Sequence, residues 1–220
     1  MKYLMLFLYI ISLCKIMRYS LILLNSLIKM RKYFFITMQV FHVKDAITHE
    51  KDIKMIGWCT GIEYFQGTFV VGLGPSVQML SDKGDVLHAL ITNSSREYLF
   101  RSPDYIHAFN TLHSSRILVS DSSMKTVCMC NSKLQLMQVF TFPPPGKLHG
   151  LAAVGEGQVL VADPATATLQ LLNINTGQSW AVLEWEELQI WPNSLVYNPE
   201  TKCLFVGGNG DEVRMYTLSK

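Results

Sequence analysis

Ile117-Leu118-Val119-Ser120-Asp121 and, 42 residues further on, Val159-Leu160-Val161-Ala162-Asp163 decide the fold. Each is an apolar run of strand length, closed by a small residue and an aspartate. Related runs stand on either side, Phe69-Val70-Val71-Gly72 before them and Leu204-Phe205-Val206-Gly207 after them, so that Val71, Val119, Val161 and Val206 are spaced 48, 42 and 45 residues apart. Upstream of each run lies a turn and an apolar anchor: Cys59-Thr60-Gly61-Ile62, Pro103-Asp104-Tyr105-Ile106, Leu148-His149-Gly150-Leu151 and Pro192-Asn193-Ser194-Leu195. Their anchors Ile62, Ile106, Leu151 and Leu195 are 44, 45 and 44 residues apart. Two independent landmarks keep one period.

Downstream of each run a third strand is led by Val77, Val127, Leu169 and Val213, and a fourth is expected in three units, at Val86 to Leu90, Leu134 to Phe140 and Trp180 to Leu183. Turn residues separate them: Gln66-Gly67 and Glu156-Gly157 between first and second strands, Asp82-Lys83-Gly84-Asp85 and Asn175-Thr176-Gly177 between third and fourth. Four short strands per 40 to 50 residues make one blade of a β-propeller. Val40 to Val43 and Ile53 to Trp58 are expected to be the third and fourth strands of a preceding blade, and the chain stops at Val213 to Leu218, a third strand without a fourth. The fold expected is all-β, a partial propeller of about four blades over residues 39–220.

These repeats resemble the NHL repeat, and in particular the six-bladed NHL propellers at the C-termini of tripartite-motif and B-box proteins. The resemblance rests on the small turn with Gly-Ile or Gly-Leu and on strands ending in Ser-Asp or Ala-Asp. It departs from the family where Tyr105 and Ser194 replace the glycine of Gly61 and Gly150, and where Gly72 and Gly207 replace the small-Asp ending. It implies a protein-binding or substrate-recognition module, linked in its relatives to ubiquitination. The RING finger, B-box and coiled coil of those relatives are not in this sequence, so ligase activity is not carried over. About two further blades are expected upstream of residue 39 in the full gene, and self-association is the alternative way to cover an open arc.

Residues 1–37 use a different alphabet, without Ala, Gly, Val, Pro, Asp or Glu. They hold Lys2, Lys15, Arg18, Lys29, Arg31 and Lys32; removing those six from the 19 bases leaves 13 against 17 acids, so the body is near −4 although the whole chain is +2. The longest charge-free runs, Tyr3 to Cys14 and Tyr19 to Ile28, are short of the roughly 20 residues of a membrane helix. The segment, expected to be helical, is read as a gene-model artefact, an interfacial anchor or a signal-like peptide, and its deletion is expected to leave the remainder's melting temperature unchanged. A mildly acidic body with no basic cluster in residues 41–220 argues against nucleic acid, although RNA remains an alternative partner because some NHL propellers bind it. A cytoplasmic location follows from five scattered cysteines, Cys14, Cys59, Cys128, Cys130 and Cys203, which show neither disulfide nor zinc spacing.

Thr60, Asp104, His149 and Asn193 precede the aligned anchors and are expected around one rim of the channel, where a peptide or a small polar ligand would meet them. The alternative is that they cap loops and bond to backbone. Asp121 and Asp163 are expected to accept from turn amides after their strands. The enzyme alternative, a gluconolactonase-type propeller, needs Glu, Asn and Asp on a calcium or zinc ion, for which Glu63, Asn193 and Asp163 are the nominal set. Pro143-Pro144-Pro145-Gly146 reads as an inter-blade loop, and Trp180, Trp185 and Trp191 with Glu184, Glu186 and Glu187 as an acidic, aromatic stretch. No cofactor, metal or catalytic activity is expected.

Overall fold

The computed structural model describes residues 19–30, 33–43, 47–142, 146–208 and 212–218. The chain divides into two compact units, Met1–Cys59 and Thr60–Lys220.

In the first unit, β1 (Tyr19–Met30), β2 (Tyr33–Val43) and β3 (Ile47–Ile56) form an antiparallel sheet in that order. The helix expected over residues 1–37 is therefore corrected where the segment is described. Tyr19–Met30 pairs along its length with β2, from Tyr19 opposite Val43 to Met30 opposite Tyr33, with one irregularity between Asn25 and Leu27. A segment rich in Ile, Leu, Tyr and Phe takes a ladder readily once a partner strand satisfies its backbone groups. Residues 1–18 lie outside the described residues. The strands expected at 40–43 and 53–58 are β2 and β3. They stand in a three-stranded sheet with β1 instead of as a pair, and Trp58 falls beyond the strand end, after Gly57 at φ +119°. Met38, Val40, Ile53 and Met55 alternate along β2 and β3 and are buried on one face, with Met38 opposite Ile53.

In the second unit the expected repeat is realised strand by strand. The first blade is β4 (Cys59–Phe65), β5 (Thr68–Leu73), β6 (Ser76–Leu80) and β7 (Val86–Leu90). The second is β8 (Pro103–Asn110), β9 (Ser115–Asp121), β10 (Thr126–Asn131) and β11 (Leu136–Thr141). The third is β12 (Leu151–Gly155), β13 (Gln158–Asp163), β14 (Thr168–Asn173) and β15 (Ser179–Leu183). After the one-turn helix α1 (Trp185–Leu188) the fourth has three strands, β16 (Pro192–Asn198), β17 (Cys203–Gly208) and β18 (Val213–Thr217). Leu134 leaves the expected fourth strand of its blade because it takes a left-handed turn at φ +59°.

The cores lie between blades, not within them. Ile117 and Val119 of β9 face back to Val70, Val77 and Met79 of the first blade, with Phe100 sealing the seam, while Leu118 between them faces forward to Leu151, Val159 and Val161 of the third. A second strand buried on both faces must be apolar at every position, which is why these runs do not alternate. The next seam sets Ala152, Leu160 and Ala162 against Leu195, Leu204 and Val206. Val71, Val119, Val161 and Val206 are all fully buried, and so are the third-strand leaders Val77, Val127 and Leu169; Val213 in the fourth blade is 69% exposed.

Glycine at the head of the first strand has a steric reason. A Cβ at Gly61 would stand 2.8 Å from the Asp104 carbonyl oxygen, and one at Gly150 would stand 2.8 Å from Ser194 Cα and Leu195 N. Inner strands of neighbouring blades touch backbone to backbone there. At the middle seam Tyr105 stands in the glycine position and its ring packs on His149, centroids 5.5 Å apart. Among the described residues no helix is long and apolar enough to cross a membrane.

Candidate functional site

The loops that enter first strands and those that join second to third strands share one end of the second unit. Buried carboxylates organise this end. Asp121 closes β9 and is fully buried. Its Oδ1 accepts from the amides of Ser123 (2.9 Å) and Met124 (2.7 Å), and its Oδ2 from those of Arg101 (2.6 Å) and Ser102 (2.9 Å). One side chain thus ties the turn after its strand to the segment that leads into β8. Asp163 repeats the arrangement with Oδ1, which accepts from Lys147 (3.0 Å), Ala165 (3.0 Å) and Thr166 (3.4 Å). Its Oδ2 is buried without a partner and lies against Gly146, where any side chain would collide with it. The expectation that both aspartates bind turn amides is met, and the bonds to the incoming segment go beyond it.

The four rim residues all lie at this end, at or just before the first strands. Thr60 Oγ1 donates to the Pro103 carbonyl across the first seam, 2.8 Å. Asp104 stays within its blade, accepting from Ser102 Oγ at 2.6 Å and from both the amide and the hydroxyl of Ser122. His149 and Asn193 are joined directly, Nδ1 to Oδ1, and the Gly150 amide donates to the Asn193 carbonyl at 3.0 Å. Ser120 Oγ donates to the His149 carbonyl at 2.6 Å. His149 and Asn193 therefore come together, and Thr60 and Asp104 are each held elsewhere. All four side chains are hydrogen-bonded within the protein, which leaves them as fixed features of a surface.

One pair was not picked out from the sequence as a pair. Glu63 and His107 each directly follow an anchor, on β4 and β8, and this shared register places His107 Nδ1 3.7 Å from Glu63 Oε2. The Ala153 amide donates to His107 Nε2 at 3.1 Å. An amide can only donate, so Nε2 accepts and the ring proton sits on Nδ1, toward the carboxylate. The lone pair that a general base would need is therefore occupied by backbone. The ring also stacks on Phe109 at 5.8 Å. Of the nominal metal set, Glu63 faces His107, Asn193 bonds His149, and Asp163 holds backbone amides. Among the described residues no group of three His, Cys, Asp or Glu side chains is placed to hold a metal ion.

Aromatic groups add to the same end. Trp185, the first residue of α1, and Trp191, beyond its end, stack at 4.7 Å, both partly exposed; the exposed acids of the helix include Glu186. The capping box of that helix occupies Glu184 and Glu187. Residues 143–145 of the proline run lie outside the described residues. Burial pushes the thiols of Cys59, Cys128 and Cys130 up to about 12, which removes them from nucleophilic chemistry near neutrality.

No family model matches this sequence, and no curated protein matches it. Among solved structures the chain is similar to one titled "Streptogramin B lyase structure", a β-propeller, with a TM-score of 0.53 and 10% identity. The match covers 73% of this chain and 54% of that one, so the chain spans about half the neighbour's length. At that identity the likeness concerns the fold alone, and the fold is a β-propeller of four blades.

Proposed function

We propose that the propeller is a non-catalytic recognition module whose loop end, bearing Thr60, Asp104, His149, Asn193 and the Trp185–Trp191 pair, receives a protein segment. The finer reading is an NHL-type module of the tripartite-motif kind, working in the cytoplasm as the substrate-recognition part of a ubiquitin-linked protein. The observation that carries the reading is that the polar side chains of this end are already hydrogen-bonded, across the blade seams from Thr60 to Pro103 and from His149 to Asn193, and within the blade at Asp104. Such a surface loses little side-chain entropy on binding. The commitment of His107 Nε2 to a backbone amide further supports recognition over acid–base catalysis.

The test is selection of displayed peptides on the full chain. Trp191→Ala is expected to weaken the selected peptides by about tenfold or more, as for an aromatic hot spot, and Leu112→Ala, on an exposed loop at the opposite end, to leave them unchanged. Binding that depends on Leu112 and not on Trp191 would overturn the choice of face. Hydrolysis of lactones or esters abolished by His107→Ala would overturn the non-catalytic reading, and a salt-sensitive gel shift with single-stranded RNA would replace the protein partner by nucleic acid.

A further inference from the structure

Pro75, Tyr98, Phe100, Arg101 and Met124 line a cavity of about 420 Å³ at the seam of the first and second blades. We propose that it binds an organic carboxylate carrying an aromatic or branched aliphatic group, supplied by a peptide C-terminus or by a free acid. The proposal deepens the recognition reading and rests on the loop end being the binding face.

Three observations carry it. The volume is that of ligand pockets, roughly 300 to 1,000 Å³, and the lining has their usual make-up of apolar surface with few polar groups, here the Arg101 guanidinium and the Tyr98 hydroxyl. Phe100 is fully buried, Tyr98 is 63% exposed, and Met124 supplies a deformable wall. Arg101 is exposed, and its guanidinium has no hydrogen-bond or ion-pair partner among the described residues. In a body near −4, a single unpaired cation beside an apolar wall suits a small carboxylate, which a guanidinium can hold in a bidentate manner, and not a polyanion.

The second observation is rigidity. The backbones of Arg101 and Met124 are both held by the Asp121 carboxylate, through 2.6 Å and 2.7 Å bonds from their amides. The backbone that carries these two lining side chains is therefore fixed before any ligand arrives, which favours a specific site.

The third comes from the repeat. Asp163 plays the part of Asp121 one blade on, yet Gly146 stands where Arg101 stands and Thr166 where Met124 stands. The second and third blades share the aspartate and its bond to the incoming segment, but not the arginine or the thioether.

The full chain, labelled with ¹⁵N, is titrated with N-acetylphenylalanine and with its amide. The acid is expected to shift the amides of Arg101, Ser102 and Met124 and to bind at least about tenfold more tightly than the neutral amide, the worth of one hydrogen bond to a charged group. Arg101→Gln, which keeps the backbone bond to Asp121, is expected to abolish that difference, and Tyr98→Ala to weaken acid and amide alike. A tetrapeptide ending in phenylalanine with a free carboxylate distinguishes the sources: tighter binding than N-acetylphenylalanine assigns a peptide terminus, equal binding a free acid. Equal affinity for acid and amide, an unchanged affinity in Arg101→Gln, or no shift at the solubility limit would each overturn the proposal. If that happens while displayed peptides still depend on Trp191, only the pocket assignment falls; if both fail, the recognition reading falls with it.

Discussion

Replacing Asp121 by Asn tests how much of the propeller's stability runs through one buried carboxylate. Asp121 accepts four backbone N–H groups, two on each oxygen. In the asparagine variant one oxygen still serves two amides, while the new NH₂ faces the other two, donor against donor. Two hydrogen bonds to a charged acceptor, each worth about 1.5–3 kcal/mol, are lost, and the charge is withdrawn from the remaining pair. The expected loss is roughly 3–5 kcal/mol, a large share of the ~5–15 kcal/mol available to a native protein. Asp163 is the internal control. Its three amides all bond Oδ1, so an asparagine keeps all three; it forfeits the charge assistance and sets its NH₂ at the unpartnered Oδ2 position, a smaller loss of about 1–2 kcal/mol. Urea titrations followed by tryptophan fluorescence give the two differences, and hydrogen exchange at Arg101, Ser102, Ser123 and Met124 locates the effect. Equal destabilisation by Asp121→Asn and Asp163→Asn, or unchanged exchange at those four amides, would refute the assignment of Asp121 as the hub of the seam.

The thiols of Cys59, Cys128 and Cys130 are raised from 9.0 to about 12 by burial, so from pH 9 upward the unfolded chain releases protons that the native chain retains. Their stabilising effect is intact below pH 9 and falls as pH rises toward 12, by roughly 4 kcal/mol per pH unit for the three together, which a denaturation series between pH 8 and 11 measures. In the native state near pH 8, iodoacetamide is expected to modify the half-buried Cys203 well before those three, and mass spectrometry of the peptides reads the order. Gly150→Ala drives a Cβ to 2.8 Å from the backbone of Ser194 and Leu195 and is expected to cost about 1–3 kcal/mol in thermal or chemical denaturation, whereas Gly67→Ala, with open space around its Cβ, carries only the penalty of its φ of +81°. Trp185→Ala and Trp191→Ala are each expected to remove the same exciton feature from the circular dichroism spectrum, since the two rings stack at 4.7 Å, with a stability change of about 1 kcal/mol for these partly exposed side chains.

The blade repeat was legible because it is written in local chemistry. A second strand enclosed on both faces admits only apolar residues, so Val71, Val119, Val161 and Val206 kept their period without reference to anything distant. Turn residues fixed the strand ends, and the aspartates that close β9 and β13 announced their turn bonds through position alone. The first strand at Tyr19–Met30 was not legible. An apolar, basic segment has no strong preference between helix and strand, and only pairing with Tyr33–Val43 decides between them.

The site divides in the same way. Sequence register alone brought Thr60, Asp104, His149 and Asn193 to one end, because equivalent positions of a repeat occupy equivalent places. Which of them would touch was settled by the tertiary structure: His149 reaches Asn193, while Thr60 turns to a carbonyl and Asp104 to its own blade. The pairing of Glu63 with His107 and the cavity under Arg101 belong to the seams between blades. A seam joins side chains from two repeats some 40 to 50 residues apart, and no local pattern records the distance between them; only the packing of one blade on the next does.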